Sequence, residues 1–415
     1  MRWLAFGIAA VMLSSCTPQA APKKIILRIS SWAGAGDDSE AVRLERDAYY
    51  GFQKLHPEVE IQLESVPGSQ EYVRKMLLSY VAGTEPDIIK LDASSAAIFI
   101  NNGAVRDLTP YFKQADLEPF FPNVLNIARR GAALYAVPID FTPMVLYYNK
   151  RMFREAGVPE PQPGWTWADF LSSAQKLTKP GQYGFVFPNW MPGWLPILWN
   201  NAGDVLGPEG KAVGTADSAQ NAEALTFFRD LIDKYKVAPS LSQMAAQGVA
   251  PFPSGTAAME ISGHWNLTVL AGSKDVPLED VGIAPLPVAK KGMKPVTVIY
   301  EAGWGIGKNC KHPELAAEFI KYFTSQKVQR DYQKSGIGVC ARRDIAEERA
   351  QDPRERTFLQ IIPTGRPPWG ASIEGYDFVE SEGQRMMDSI LKSGADPAAA
   401  LRIFARKVDR QLEDL

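Results

Sequence analysis

Leu134 to Phe153, LYAVPIDFTPMVLYYNKRMF, contains two apolar runs separated by a short segment that has proline on both sides. The second run extends from Met144 to Tyr148, and a short helix is predicted to begin at Asn149 and to end at Gly157. Proline fixes its own φ and pushes the residue before it towards extended conformations. The segment between the runs, Ile139 to Pro143, should therefore be extended and not helical. We call this segment the strap and predict that it crosses between two lobes.

The length of the chain also predicts two lobes. It has 415 residues and 46% apolar composition, which is more than one hydrophobic core usually supports. Strand-like and helix-like patterns alternate before the strap, which favours α/β lobes, each with a mainly parallel sheet flanked by helices. Two further crossings are predicted, near 283–300 and at 363–369. We predict a first lobe from residues 25–139 and 296–350 and a second lobe from residues 140–295 and 351–415.

The N-terminus has the features of an export signal. Arg2 precedes the apolar run Trp3 to Leu13, which is too short to span a bilayer but suits the core of a signal peptide. The run ends in Leu-Ser-Ser-Cys, which resembles the bacterial lipoprotein box. We predict a signal peptide at 1–15, lipidation of Cys16 and a tether over 16–24, holding the protein in the periplasm or at the cell surface of a bacterial membrane. The alternative is an ordinary secretory leader with an incidental cysteine.

Composition argues against several classes of partner. The chain has 45 basic and 47 acidic residues, without the basic clustering that nucleic-acid binding requires. With three histidines and three cysteines, no metal site or other cofactor is predicted. An exported compartment permits a disulfide between Cys310 and Cys340. The alternative for this pair is two unpaired, buried thiols.

Polar and aromatic residues follow several predicted strands. In open α/β sheets, ligands bind beyond the carboxyl ends of the strands, which points to Trp32 and to Asp92 with Ser94. Asp92 and Asp140 each follow an apolar run, where a carboxylate can accept hydrogen bonds from ligand hydroxyls or simply cap a helix.

Tryptophans are concentrated in a segment without helical periodicity. Trp190, Trp194 and Trp199 lie within ten residues, in a segment interrupted by proline and glycine and close to three asparagines, Asn189, Asn200 and Asn201. Sugars suit such a site, because their C–H faces stack on rings while their hydroxyls pair with amides. Packing of the rings into a lobe is the alternative. The candidate ligand-binding residues are Trp32, Asp92, Ser94, Asp140, Thr142, Trp190, Trp194, Trp265, Glu301, Trp304, Arg366, Trp369 and Tyr376.

Several blocks occur in an order that resembles one family. They include Gly83-Thr84-Glu85-Pro86-Asp87-Ile88-Ile89, Tyr135-Ala136-Val137-Pro138 with Leu146 to Lys150, and Phe252 to Met259 leading to Gly263-His264-Trp265. The chain resembles the extracellular solute-binding proteins of ABC importers, the family that includes maltose-binding protein. One departure is Lys90-Leu91, where a ring-bearing residue would follow the strand.

The resemblance implies a two-lobed, type II periplasmic-binding-protein fold with three hinge crossings that closes on its ligand. It places Asp92, Ser94, Asp140, Thr142, Trp194 or a neighbour, and Trp265 at the ligand. The implied function is the substrate-binding subunit of an ABC importer, a monomer without enzymatic activity that delivers a carbohydrate to the transmembrane permease subunits. The alternatives are the same fold binding a polyamine or another small solute, and a secreted glycoside hydrolase, which needs two carboxyl groups about 5–9.5 Å apart.

Overall fold

The computed structural model describes residues 24–32, 39–67, 69–248 and 250–414. The predicted signal peptide and Cys16 lie outside these residues. Within the described ranges, no helix is both long enough and apolar enough to cross a bilayer.

Helices and short strands alternate along the chain. The strands are Ile25–Ser31 (β1), Val59–Ser65 (β2), Ile88–Asp92 (β3), Arg129–Arg130 (β4), Ala133–Leu134 (β5), Val137–Pro143 (β6), Val145–Asn149 (β7), Met259–Ser262 (β8), Val281–Ala284 (β9), Thr297–Ile306 (β10), Val339–Cys340 (β11) and Gly365–Arg366 (β12). The helices before β8 are Glu40–Leu55 (α1), Ser69–Val81 (α2), Ala96–Asn101 (α3), Gln114–Leu117 (α4), Pro122–Leu125 (α5), Lys150–Glu155 (α6), Trp167–Leu177 (α7), Met191–Trp199 (α8), Ala219–Asp233 (α9) and Leu241–Gln247 (α10). The helices after β8 are Asn266–Ala271 (α11), Pro313–Phe323 (α12), Gln326–Tyr332 (α13), Arg343–Glu348 (α14), Pro353–Ile361 (α15), Tyr376–Ser393 (α16) and Pro397–Glu413 (α17).

The strap is extended, as its prolines predict, and it leads directly from one sheet to the other. β6 contains the strap and pairs with β10 and β11 in the first sheet, whereas β7 pairs with β8 and β9 in the second. Only Met144 separates the two strands, so the change of sheet takes a single residue. The predicted helix follows as α6, and the Asn149 side chain caps it by accepting a hydrogen bond from the backbone N–H of Met152 at 3.1 Å.

The first sheet has the strand order β11-β6-β10-β3-β1-β2, with β12 paired to β10. β1 is parallel to β2 and β3, while β10 is antiparallel to both of its neighbours on this path. This strand order places the end of β3 on one side of the middle of β10 and β6 on the other side. Asp92 on β3 and Asp140 on β6 are both in register with Ala302 of β10.

The prediction of a mainly parallel sheet in each lobe is wrong for the second sheet. Its order is β8-β7-β9, and both neighbours are antiparallel to β7. The central strand arrives from the first sheet through the strap, and the strands on either side of it run in the opposite direction. Strand alternation before the strap therefore could not predict the direction of pairing beyond it.

The segment around residues 184–204 is not the aperiodic loop that its prolines suggest. It contains α8, in which Gly193 and every residue from Trp194 to Trp199 are buried. A helix that is buried on all sides has no polar face, so the 3.6-residue pattern disappears from its sequence. Trp194 is a core residue with no exposed surface, and packing of the rings, the alternative interpretation, is correct for it.

Trp304, a candidate ligand contact that stands between two glycines, lies near the end of β10 and has no exposed surface. Its ring packs against Tyr49, Phe319 and Phe323, with centroid distances of 6.2, 6.3 and 5.6 Å. It therefore belongs to the core between the first sheet and helices α1 and α12 and does not contact the cleft.

Cys310 and Cys340 do not form the disulfide that an exported compartment permits: both are free and buried. The Cys340 thiol donates a hydrogen bond to Gln329 Oε1 at 3.1 Å. The alternative interpretation, two unpaired buried thiols, is the correct one.

Candidate functional site

A cavity of about 410 Å³ lies between the first-sheet helices α2 and α3 on one side and the start of α16 on the other. We call it the cleft cavity. Apolar lining is contributed by Val73, Leu77 and Ile98, and polar lining by Asp92, Ser94 and Glu380. The site therefore offers both apolar surface and hydrogen-bond acceptors to a ligand.

Asp92 stands at the carboxyl end of β3, where the sequence predicts a ligand contact. Its Oδ1 accepts hydrogen bonds from the backbone N–H groups of Ser94 and Ser95 at 3.0 and 2.9 Å and from the Ser95 hydroxyl at 2.7 Å. Burial raises the pKa of Asp92 above its ordinary value of 3.8, while these hydrogen bonds act in the opposite direction. Asp92 thus organises the turn before α3, one of the two roles that the sequence suggests. It also lines the cavity, and its contact with ligand hydroxyls stays a prediction.

The opposite wall adds Tyr376, Asp377 and Glu380 from α16. Burial, followed by repulsion from Asp92 and Asp377, raises the pKa of Glu380 to about 7. The buried Tyr376 was predicted from the sequence, and its hydroxyl donates to the Met191 sulfur at 3.7 Å. Glu380 and Asp377 were missed, because on sequence alone they belong to the polar side of a long helix.

Two predicted carboxyl groups lie deeper in the first sheet. Glu301 on β10 is 2% exposed, and its Oε2 has no hydrogen-bond partner. Burial, with repulsion from Asp92 and Asp140, raises the pKa of Glu301 well above its ordinary value of 4.5. Asp140 Oδ2 accepts a hydrogen bond from the Tyr332 hydroxyl at 2.9 Å, and burial raises the pKa of Asp140 to about 6. Glu301 would therefore be repelled by Asp92 and Asp140 if all three carboxyl groups were ionised.

A buried ion pair lies in the same sheet. Lys90 on β3 pairs with Glu45 on α1, and the two side chains are 5% and 6% exposed. Lys90 Nζ also lies 4.7 Å from the ring centroid of Trp32 and 5.2 Å from that of Trp304. Trp32, a predicted ligand contact, therefore already stacks against a cation and meets Tyr72 edge-on at 5.8 Å.

Two of the predicted tryptophans form a partly exposed pair. Trp190 is 39% exposed, and its ring centroid is 5.7 Å from that of Trp265. Trp190 directly precedes Met191, the residue that Tyr376 of the cleft cavity contacts. The Trp265 ring lies over Gly263, where a Cβ atom would come within 2.1 Å of it. Trp190 and Trp265 therefore have the exposed ring surface on which a ligand could stack.

Arg366 and Trp369 lie away from the cleft cavity and hold Asp204 instead. Arg366 donates to Asp204 Oδ2 at 2.7 Å, and Trp369 Nε1 donates to Oδ1 at 2.9 Å. Arg366 also stacks over Trp199, with 4.4 Å between the guanidinium carbon and the ring centroid. They fasten the 363–369 segment to the loop that follows α8.

The predicted amide cluster is also structural. Asn189 donates to Asp388 at 2.9 Å, and Asn200 binds the backbone of residue Val296 through both its oxygen and its nitrogen. Asn201 donates to the backbone oxygen of Gln220 at 2.7 Å. Thr142 Oγ1 accepts a hydrogen bond from the backbone N–H of His264 at 2.8 Å, so this predicted residue holds the turn before Trp265.

The cleft cavity, with apolar side chains and carboxyl groups in its lining, has the size and chemistry to hold a small solute. The family described as bacterial extracellular solute-binding proteins matches residues 37–330, and the chain belongs to this family. The resemblance inferred from the sequence blocks is confirmed. The family and the solved structures similar to this chain are binding proteins rather than enzymes.

The individual relatives either match only part of this chain or have low sequence identity to it. An uncharacterized lipoprotein of Streptomyces antibioticus is 31% identical over 45% of this chain and 41% of its own length. A galactooligosaccharide-binding protein of Bacillus subtilis is 21% identical over 98% of this chain and 96% of its own. An ABC substrate-binding protein of Listeria monocytogenes, solved with cycloalternan, has a TM-score of 0.79 at 19% identity and covers 94% of this chain and 99% of its own. The two-lobed α/β fold is thereby confirmed.

Proposed function

We propose that this chain is the substrate-binding subunit of an ABC importer and that it captures a mono- or oligosaccharide in the cleft cavity. The observation that carries the proposal is the composition of that cavity: carboxyl acceptors from Asp92 and Glu380 face apolar side chains of α2 and α3. A sugar presents hydroxyl donors and apolar C–H faces to such a site. The relatives named for oligosaccharides support the same ligand class.

The proposed mechanism is capture and delivery without a covalent step. The first lobe, residues 25–139 and 296–350, and the second, residues 140–295 and 351–415, would close by hinge motion at the strap and the two later crossings. The boundary between residues 139 and 140 cuts β6, although the whole of that strand pairs within the first sheet, so the first sheet continues to Pro143. Lipidation at Cys16 would hold the monomer at the membrane beside the permease subunits.

The test is a thermal-shift screen of residues 17–415 against mono-, di- and oligosaccharides, followed by calorimetric titration with the sugars that respond. A ligand that binds only the folded state raises the melting temperature with its concentration. Trp190→Ala and Trp265→Ala should each weaken binding of the responding sugar by roughly five- to tenfold, the loss of a stacking contact worth about 1–1.4 kcal/mol. Ile403→Ala, a change at another exposed apolar side chain, serves as the control.

Chromatography of the incubated sugar separates binding from hydrolysis. Recovery of the sugar unchanged supports a binding protein, whereas product formation would establish a glycoside hydrolase. Tryptophan variants that bind as tightly as the unmodified chain would remove the ring pair from the site.

A cationic solute such as a polyamine is the second candidate, and a specific observation favours it. Asp92, Asp377 and Glu380 all line the cavity, while the one basic residue among its lining, Arg74, pairs with Glu71 at 2.6 Å. Ionised carboxyl groups without a cation would attract an ammonium group. Polyamines therefore belong in the same screen, and a response to them alone would replace the carbohydrate as ligand.

A further inference from the structure

The acidic residues of α16 differ in whether a cation accompanies them. Glu382, which is turned towards α17, pairs with Lys407 at 3.0 Å and with Arg385. Asp377 and Glu380 line the cleft cavity, and neither forms an ion pair among the described residues. The carboxyl groups that α16 presents to the cavity therefore lack the cations that Glu382 has on the same helix.

Asp92 provides a carboxyl group on the opposite wall. Its Oδ1 accepts three hydrogen bonds from the turn before α3, whereas no described residue donates to its Oδ2. Arg74, the one basic residue among the lining, donates to Glu71 through Nε and Nη2 at 3.1 and 2.6 Å. The described lining thus has carboxyl groups on both walls and no uncommitted cation.

A buried hydroxyl group beside this wall also lacks a partner. Tyr300 lies on β10, and its hydroxyl oxygen has no hydrogen-bond partner in the described part of the chain. Burial raises the pKa of Tyr300 well above its ordinary value, and Tyr376, Glu380 and Asp92 raise it further, so the hydroxyl lies near three residues of the lining. Because a buried polar group without a partner is costly, this hydroxyl indicates, independently of the carboxyl groups, that a polar ligand group reaches this end of the cavity.

Glu301, the next residue along β10, is another acid without a cation. It is 2% exposed, its Oε2 has no partner among the described residues, and repulsion from Asp92 adds to burial in raising its pKa. Lys90, a buried cation of the same sheet, is committed to Glu45. Buried charges in proteins are ordinarily paired, so the region between β3, β10 and α16 is short of positive charge.

We propose that the cleft cavity takes an amino sugar, whose free ammonium group binds between Asp92 and Glu380. This ligand class rests on the proposed function and narrows it. The ammonium group would pair with the two carboxyl groups, the C–H face of the ring would lie against Val73 and Leu77, and the Ser94 hydroxyl is available to a sugar hydroxyl.

The carboxyl groups are close enough together to form one cation site. Asp92 and Asp377 both repel ionised Glu380, so the three act as a single cluster. A linear polyamine has ammonium groups at separated positions, of which this cluster holds one, and the others would lie against the apolar side chains of α2 and α3 at a desolvation cost. An amino sugar has one charge for the cluster and an apolar C–H surface for those side chains.

The first measurement compares sugars that differ only in the substituent at one carbon. Residues 17–415 are titrated calorimetrically at about pH 7, where an amine of ordinary pKa is largely protonated. The sets are glucose, glucosamine and N-acetylglucosamine, the corresponding galactose and mannose sets, and cellobiose with chitobiose and its diacetylated form, and spermidine represents the polyamines. In at least one set the free amine should bind roughly tenfold more tightly than both of its counterparts, because charge-assisted hydrogen bonds are about twice as strong as neutral ones.

The other results of this titration separate the ligand class from the function. If sugars bind but no amine binds more tightly than both of its counterparts, the amino-sugar class is wrong and the proposed function stands. If no sugar of any set binds, both are wrong. Binding of spermidine alone would also overturn the amino sugar, in favour of the polyamine.

The second measurement tests whether Glu380 holds the ammonium group. Its carboxyl group forms no hydrogen bond or ion pair among the described residues, so Glu380→Gln should fold, which its melting temperature verifies. The amine should bind this variant roughly tenfold more weakly, whereas its neutral counterpart should lose much less. Glu318→Gln removes an exposed carboxyl group from α12 and is the matched control, which should keep the preference for the amine.

Full retention of that preference in Glu380→Gln would overturn the placement of the ammonium group between Asp92 and Glu380. The comparison of sugars needs no variant, so it decides the ligand class whether or not Glu380→Gln folds.

Discussion

The ion pair between Lys90 and Glu45 provides the sharpest test of the energetics beneath the site. Both side chains are almost fully buried, and Lys90 has the rings of Trp32 and Trp304 on either side. Lys90→Met would leave the Glu45 carboxyl group buried without its partner. Removing one member of a buried pair costs about 3–5 kcal/mol, and we expect the free energy of unfolding to fall by that amount.

Replacing Glu45 instead of Lys90 should lower the free energy of unfolding by less. In Glu45→Leu, Lys90 keeps both aromatic rings, and Asp140 still attracts it. In the double variant neither member of the pair is left without the other, so most of the loss is recovered. The interaction energy from the four proteins should therefore be about 3 kcal/mol or more.

Urea unfolding followed by tryptophan fluorescence measures these values. The control is Lys75→Met, which breaks an ion pair with Glu64 whose side chains are 44% and 21% exposed. An exposed pair is worth about 0–1 kcal/mol. If Lys90→Met destabilises the chain no more than Lys75→Met does, the argument that burial makes the Lys90 pair indispensable is refuted.

Three further predictions concern the cleft, the thiols and the last crossing. The folded-state pKa of Glu380 is about 7 against an ordinary 4.5, so the folded state holds its proton longer than the unfolded state and loses stability as pH rises through that window. Glu380→Gln should flatten this part of a curve of melting temperature against pH, and an unchanged curve would contradict the assignment. A thiol assay on denatured residues 17–415 should find both Cys310 and Cys340 free without reductant, whereas a count of zero would mean a disulfide. Asp204→Asn removes a charged acceptor from Arg366 and should lower the free energy of unfolding in urea by about 1–3 kcal/mol, a loss that Asp233→Asn, at an exposed aspartate, should not reproduce.

The strap could be predicted from sequence because its signals are local. Prolines and an N-capping asparagine act through the backbone of their own neighbours, so Leu134 to Phe153 contains nearly all the information that shapes β6, β7 and α6. Asp92 was predictable for a related reason, since the end of a parallel strand is where α/β sheets bind ligands.

The failed predictions come from residues whose environment is set by distant segments. Trp304 lies between two glycines and suggested a turn, but these glycines are there because neighbouring backbone comes too close for a side chain. A Cβ on Gly303 would lie 2.9 Å from the backbone oxygen of Val137, and one on Gly305 would lie 2.9 Å from that of Tyr135. Glycine marks close packing in a central strand here, and only the sheet order reveals which neighbour requires it.

The far wall of the cleft cavity, formed by α16, could not be predicted for the same reason. Arg366 and Trp369 were predicted as ligand contacts, but they act on the position of this wall. Both hold Asp204, which fixes the last crossing before it reaches Gly370. At Gly370 the crossing touches the turn before α3 so closely that a Cβ atom would lie 2.1 Å from the backbone oxygen of Ser94. These contacts set α16 against the first sheet and bring Glu380 opposite Asp92. Arg366 and Trp369 thus have the chemistry of ligand contacts but act beside the site, because they position α16. The acidic residues by which α16 lines the cavity look, in the sequence, like those of an ordinary polar helix face.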